Sequence, residues 1–120
     1  MKVMKFGGTS VGSVNSILNL KNIVEAAAAQ EKVIVVVSAL GGITDKLIRT
    51  SQLAVEGNAT FNDEFQKIVA RHHDLIYSII EDEKRRATLL QEVNIHFIWF
   101  WGLGNPGRWF QHGLLFYVAE

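Results

Sequence analysis

Residues 33–42 read VIVVVSALGG, a β-branched run from Val33 to Val37 closed by a serine, two small residues and a glycine pair. A run with no polar alternation is the pattern of a strand covered on both faces in a parallel sheet. The same arrangement occurs upstream in KVMKFGG, where residues 2–6 make a short strand and Gly7-Gly8 follow at once. Between the two, Val14, Ile17, Leu18, Val24 and Ala28 recur at helical spacing until a polar break at Gln30 to Lys32. Strand, helix and strand in that order make a βαβ unit, and its crossover is right-handed. Both strand ends then share one edge of the sheet, so the two glycine turns are expected to be neighbours.

Beyond Gly42, residues Ile43, Leu47, Ile48, Ser51, Ala54 and Val55 predict a second amphipathic helix that stops at Gly57-Asn58. Phe61, Phe65, Ile68, Val69, His72, Leu75, Ile76, Ile79 and Ile80 then hold a 3.6-residue period, with Thr60 and Asp63 placed as an approximate capping box. The charged run EDEKRR at residues 81–86 interrupts the stripe, which Leu89, Leu90 and Val93 resume, and it reads as a solvated bend between helices. The character changes at Asn94. Residues 94–120 hold eight of the twelve aromatic side chains, all three tryptophans and the only proline, but only Arg108 and Glu120 as charges. No period can be followed through this tail for more than a few residues, and its aromatics would form a large exposed patch unless covered. The expected organisation is a segment 1–93 and a tail 94–120 of different origin, such as the product of a shifted reading frame.

Composition narrows the function. The chain has 120 residues, 48% of them apolar, which fits one globular domain or a piece of one. Twelve basic residues balance twelve acidic ones, so no broad field points to nucleic acid or an anionic membrane. There is no cysteine, which excludes a disulfide framework or a thiolate metal site. Met1-Lys2-Val3 is not followed by a long apolar run, and Phe97 to Gly104 is far shorter than a membrane span, so a cytoplasmic location is expected.

The chemistry gathers where the strands end. Lys5 precedes Gly7 by two residues, at the carboxyl end of its strand, where ligands of open α/β sheets collect. Glycines admit a polyanion close to the backbone, a following helix start offers N–H groups, and Thr9 and Ser10 add hydroxyls. A lysine, a glycine turn and a helix start together compose a phosphate cradle. The competing reading is a plain tight turn with Lys5 extending from an edge strand. No GxxxxGK[ST] occurs, and glycines at 7, 8 and 12 do not spell GxGxxG, so neither a Walker loop nor a nicotinamide module is indicated. In the second turn Ser38 ends its strand and Thr44 or Asp45 opens a helix, which brings further hydroxyls to the same edge.

KFGGTSVG at residues 5–12 and VVSALGGITDKL at 36–47, in this order, resemble the opening of the aspartokinase branch of the amino-acid kinase family. The resemblance implies the N-terminal part of a three-layer α/β/α fold, truncated here to a βαβ unit followed by helices. It also implies transfer of the ATP γ-phosphoryl group to the side-chain carboxylate of L-aspartate, giving 4-phospho-L-aspartate on the route to lysine, threonine, methionine and isoleucine. By position, Lys5 would neutralise the transferring group, Lys5, Gly7, Gly8, Thr9 and Ser10 would hold ATP phosphate oxygens, and Ser38 and Thr44 would sit near aspartate. ATP with Mg²⁺ is then a substrate, with no organic cofactor, no resident metal, no nucleic acid or membrane partner, and a homo-oligomeric parent. Family members continue with segments resembling SYGER and GRGGSD, which hold aspartate and nucleotide; neither is present, so an inactive, association-prone fragment is expected. Two alternatives stay open: a phosphate-binding or protein-interaction module, and an inert product of a damaged gene.

His72 falls on the apolar stripe of its helix and reads as a packed core histidine, with His73 facing elsewhere and His96 and His112 in the tail. They lack further ligands at metal-binding spacing, and Gly102 to Gly107, broken by Pro106, reads as a loop.

Overall fold

The computed structural model describes residues 1–102, with side chains through residue 98. The Gly104–Gly107 stretch, His112 and the rest of the aromatic tail lie outside the described residues. The chain divides into two compact units, Met1–Asp45 and Lys46 onward.

The first unit is the expected βαβ. Strand β1 (Lys2–Phe6) pairs in parallel with β2 (Val33–Val37), register Lys2↔Val33 through Phe6↔Val37, and helix α1 (Val14–Ala28) connects them. The α1 N-terminus is fixed by a capping box: the Ser16 amide donates to Ser13 Oγ at 3.2 Å and the Ser13 amide to Ser16 Oγ at 3.0 Å. The Met1 ammonium meets the Glu31 carboxylate at 3.0 Å, tying the start of β1 to the residues before β2.

One expectation fails here. Val33–Val37 reads as a strand buried on both faces, yet Ile34, Val35, Val36 and Val37 are 36–48% exposed and Val3 of β1 is 63% exposed. The cause is topological: among the described residues the sheet has two strands, so the apolar run lacks the neighbours its composition suits.

Helix α2 (Ile43–Val55) leads into the second unit, which contains α3 (Phe61–Ile79) and α4 (Glu83–Gly102). α2 ends in a Schellman motif, with Gly57 at φ +70, its amide on Ala54 O at 3.1 Å and the Asn58 amide on Leu53 O at 2.9 Å. The left-handed φ is why glycine stands there. Phe65, Ile68 and Ile76 of α3 are buried, as its period requires, with Leu53, Thr50 and Ser51 of α2. Burying one such side chain contributes about 1.5–3 kcal/mol. Thr50 is satisfied by donating to Lys46 O at 2.7 Å.

The anticipated Thr60–Asp63 box does not form. The Thr60 hydroxyl and amide both donate to Asn58 Oδ1, at 2.8 and 3.0 Å, so an Asx turn takes the side chain that would have capped α3. The charged run is the expected bend: α3 stops at Ile79, and Asp82 restarts helix by accepting from the Arg85 amide at 2.7 Å. Arg86 folds back over the Tyr77 ring, 5.0 Å from its centroid, and donates to Ile80 O at 3.2 Å.

Asn94 is not a structural boundary, contrary to the aperiodic reading of the tail's start. α4 runs unbroken from Glu83 to Gly102, because a nucleated helix propagates through residues of middling propensity. It is also held from the side: Phe97 packs edge-on against Phe65 with centroids 5.9 Å apart, and His73 Nε2 donates to Asn94 Oδ1 at 2.7 Å.

Candidate functional site

The carboxyl ends of β1 and β2 turn over one another. After Phe6, the backbone at Gly7 is extended, and Gly8–Val11 closes a single 3-10 turn with the Ser10 amide on Gly7 O at 3.0 Å. After Val37, the Ser38 amide donates to Phe6 O at 3.1 Å, which extends the strand pairing to the foot of the first glycine turn. The chain then passes through Gly41 and Gly42 into α2, with the Ile43 amide on Leu40 O at 2.9 Å.

The two turns touch through glycine. A Cβ on Gly41 would stand 2.8 Å from Gly8 O, and one on Gly8 would stand 3.3 Å from Gly41 Cα and 3.8 Å from Ser38 Oγ. The four glycines therefore have different jobs. Gly8 and Gly41 permit the close approach of two backbones, Gly42 supplies φ 80, and Gly7 has nothing within 4 Å of where its Cβ would be. Gly7 is thus the position where open space adjoins the strand end. The glycine pairs are plain in the sequence; which member meets the other turn depends on a backbone path that composition does not encode.

Lys5 is exposed and has no ion pair among the described residues. It lies opposite Val36 in the sheet, one residue before the end of β1. The Gly8 and Thr9 amides likewise have no partner among the described residues, whereas the Ser10 amide is already used. The helix start expected beside the lysine is this 3-10 turn; α1 begins only at Val14, with its first donors partly occupied by the Ser13–Ser16 box. Ser38 is exposed and its hydroxyl donates to Ala39 O at 2.8 Å. Thr44, second residue of α2, is exposed. The structure thus brings the turn of Gly7, Gly8, Thr9 and Ser10 against that of Ser38, and sets Thr44 just after the second turn.

His72, His73 and His96 belong to the second unit. His72 is half-buried on α3, donates from Nδ1 to Ile68 O at 2.7 Å and sets its ring edge-on to Phe97 at 5.3 Å. Burial holds its pKa below the ordinary value, and the Ile68 carbonyl opposes this only in part.

The carboxyl ends of parallel strands, gathered at one sheet edge, are where ligands of open α/β domains bind. The chain belongs to the amino acid kinase family, whose model matches residues 1–103, past the compositional break at Asn94. Part of it is 55% identical over 47 residues to an aspartokinase of Bacillus sp. (strain MGA3), covering 38% of this chain and 11% of that protein. It is also 55% identical over 49 residues to aspartokinase 2 of Bacillus subtilis (strain 168), and 45% over 51 residues to an aspartokinase of Geobacillus stearothermophilus. Those stretches cover 38% and 42% of this chain and 12% of each relative. The matched part of the chain therefore spans only a small fraction of the length of these curated relatives.

Proposed function

We propose that this chain carries the phosphate-holding corner of an aspartokinase catalytic domain, which transfers the γ-phosphoryl group of ATP to the side-chain carboxylate of L-aspartate. The supporting observation is the contact between the Gly8 and Gly41 turns, which gathers the ends of both strands at one edge. Phosphoryl transfer asks the protein mainly for positioning and charge stabilisation. Lys5 neutralises charge on the transferring group, the Gly8 and Thr9 amides with the Thr9 and Ser10 hydroxyls hold phosphate oxygens, and the space at Gly7 admits them. Ser38 and Thr44 donate to the aspartate carboxylates from the adjoining turn. Mg²⁺ enters with the nucleotide and screens its phosphates.

Catalysis also needs groups that hold both substrates in line, and among the described residues the two-stranded sheet supplies one edge only. The 120-residue chain alone is accordingly a non-catalytic piece of that machine. The test is ADP release by the purified chain with ATP, Mg²⁺ and L-aspartate. The expected result is no aspartate-dependent turnover above the rate without protein, and turnover well above it would refute the fragment reading.

A further inference from the structure

Gly12 stands where its backbone gives no reason for glycine. Its dihedrals, φ −89 and ψ −16, are right-handed and open to any residue, and Gly41 does not share the positive φ of Gly42 and Gly57. At such positions alanine suits a folded chain better, because glycine loses more backbone freedom on folding. What the two sites share is the Gly8 carbonyl. A Cβ on Gly12 would stand 3.1 Å from Gly8 O, and one on Gly41 would stand 2.8 Å from the same oxygen and 3.5 Å from Gly12 Cα. Gly8 Cα is held as well, since a Cβ there would lie 3.3 Å from Gly41 Cα.

A carbonyl enclosed in this way fixes more than itself. The peptide joining Gly8 to Thr9 is planar and trans, so the Thr9 N–H points opposite to Gly8 O, away from Gly12 and Gly41. Turning that peptide over would set the N–H against the Gly12 and Gly41 methylenes, which offer no acceptor. It would also present the partial negative charge of Gly8 O where the amide had been. The Gly8 amide is fixed by the same contact, because its nitrogen is bonded to the held Cα.

On the phosphate-holding reading above, on which this rests, we propose that Gly12 and Gly41 are positioning residues that clamp the peptide joining Gly8 to Thr9, so that the Gly8 and Thr9 amides are set in advance as donors to phosphate oxygens. Donors held in place need no reorientation when negative charge arrives between them. The clamp also joins the two turns mechanically. Gly41 belongs to the turn after β2, so a shift there reaches the phosphate donors through Gly8 O.

Titrating the isotope-labelled, full 120-residue chain with inorganic triphosphate and Mg²⁺ tests this by amide NMR. In the parent, the Gly8 and Thr9 resonances should move with one common affinity, and the Thr9 N–H dipolar coupling should fit the same orientation before and after binding. Gly41→Ala, with the closer clash, should weaken that affinity by at least about tenfold, and Gly12→Ala by about threefold. The resonances of β2 and α1 should keep their parent positions in both, which separates lost positioning from lost folding. Gly12→Ala is the milder change and carries the test if Gly41→Ala does not fold. Turn resonances that stay still in the parent would refute the phosphate-holding reading and this inference with it. A parent that binds, with alanine variants that bind equally well, would overturn the clamp alone, as would a Thr9 N–H that reorients on binding.

Discussion

Gly41→Ala should separate the two turns that define the site. Its Cβ would lie 2.8 Å from Gly8 O, 3.4 Å from Gly8 C and 3.5 Å from Gly12 Cα, and all of these are backbone atoms that no rotamer change can move aside. Reaching ordinary van der Waals contact requires the turns to part by about half an ångström, and forced overpacking of this kind costs typically ~1–3 kcal/mol. The strain falls on the hydrogen bonds nearest the contact, those of the Ser38 amide to Phe6 O and the Ser10 amide to Gly7 O. Because ~1.4 kcal/mol is tenfold in an opening equilibrium, amide hydrogen exchange at Ser38 and Ser10 should accelerate by about tenfold to a hundredfold. Gly7→Ala is the matched comparison: the site is open and φ is −84, so exchange at these amides should stay within about twofold. Unchanged exchange in Gly41→Ala, or equal acceleration in both variants, would refute the division of roles among the glycines.

Helix content of the second unit should fall in mild acid. His72 has its pKa lowered by burial, so its neutral form contributes stability that is present above the ordinary value near 6.5 and lost as pH falls below it toward the folded value. Circular dichroism between about pH 7 and 5 should show this, and His72→Leu should flatten the profile. Gly57→Ala places a side chain at φ +70 and should destabilise the end of α2 by about 1–2 kcal/mol, read as loss of exchange protection at the Gly57 and Asn58 amides. Asn94→Ala removes the acceptor for His73 and should cost about 1 kcal/mol in thermal melts of the α3–α4 pair.

The βαβ unit and the buried face of α3 were legible because their signals are local: a period, a break and a glycine pair. Residues whose role depends on a competing partner were not. Thr60 looks like a cap until Asn58 takes its hydroxyl. Val33–Val37 reads as doubly covered because β-branched composition reports what a strand suits, not how many strands lie beside it. The charge break at Asn94 hid a continuous helix, since α4 draws support from Phe97 against Phe65 rather than from a polar-apolar alternation. At the site, the lysine, both turns and their adjacency followed from the sequence; the 3-10 turn that replaces a helix start, and the use of Gly8 by Gly41, belong to the backbone path.

The assignment of Lys5 to phosphoryl transfer is tested most directly in a complete aspartokinase carrying residues 1–93 of this chain. Lys5→Ala deletes an exposed ammonium that has no ion pair among the described residues, at the end of β1, without disturbing the turn contact. Loss of one preorganised charge contact costs about a hundredfold in kcat. The account predicts that fall in aspartate-dependent ADP release, with the KM values for ATP and aspartate moving much less. Near-normal kcat in Lys5→Ala would make the lysine a solvated edge residue and contradict the site.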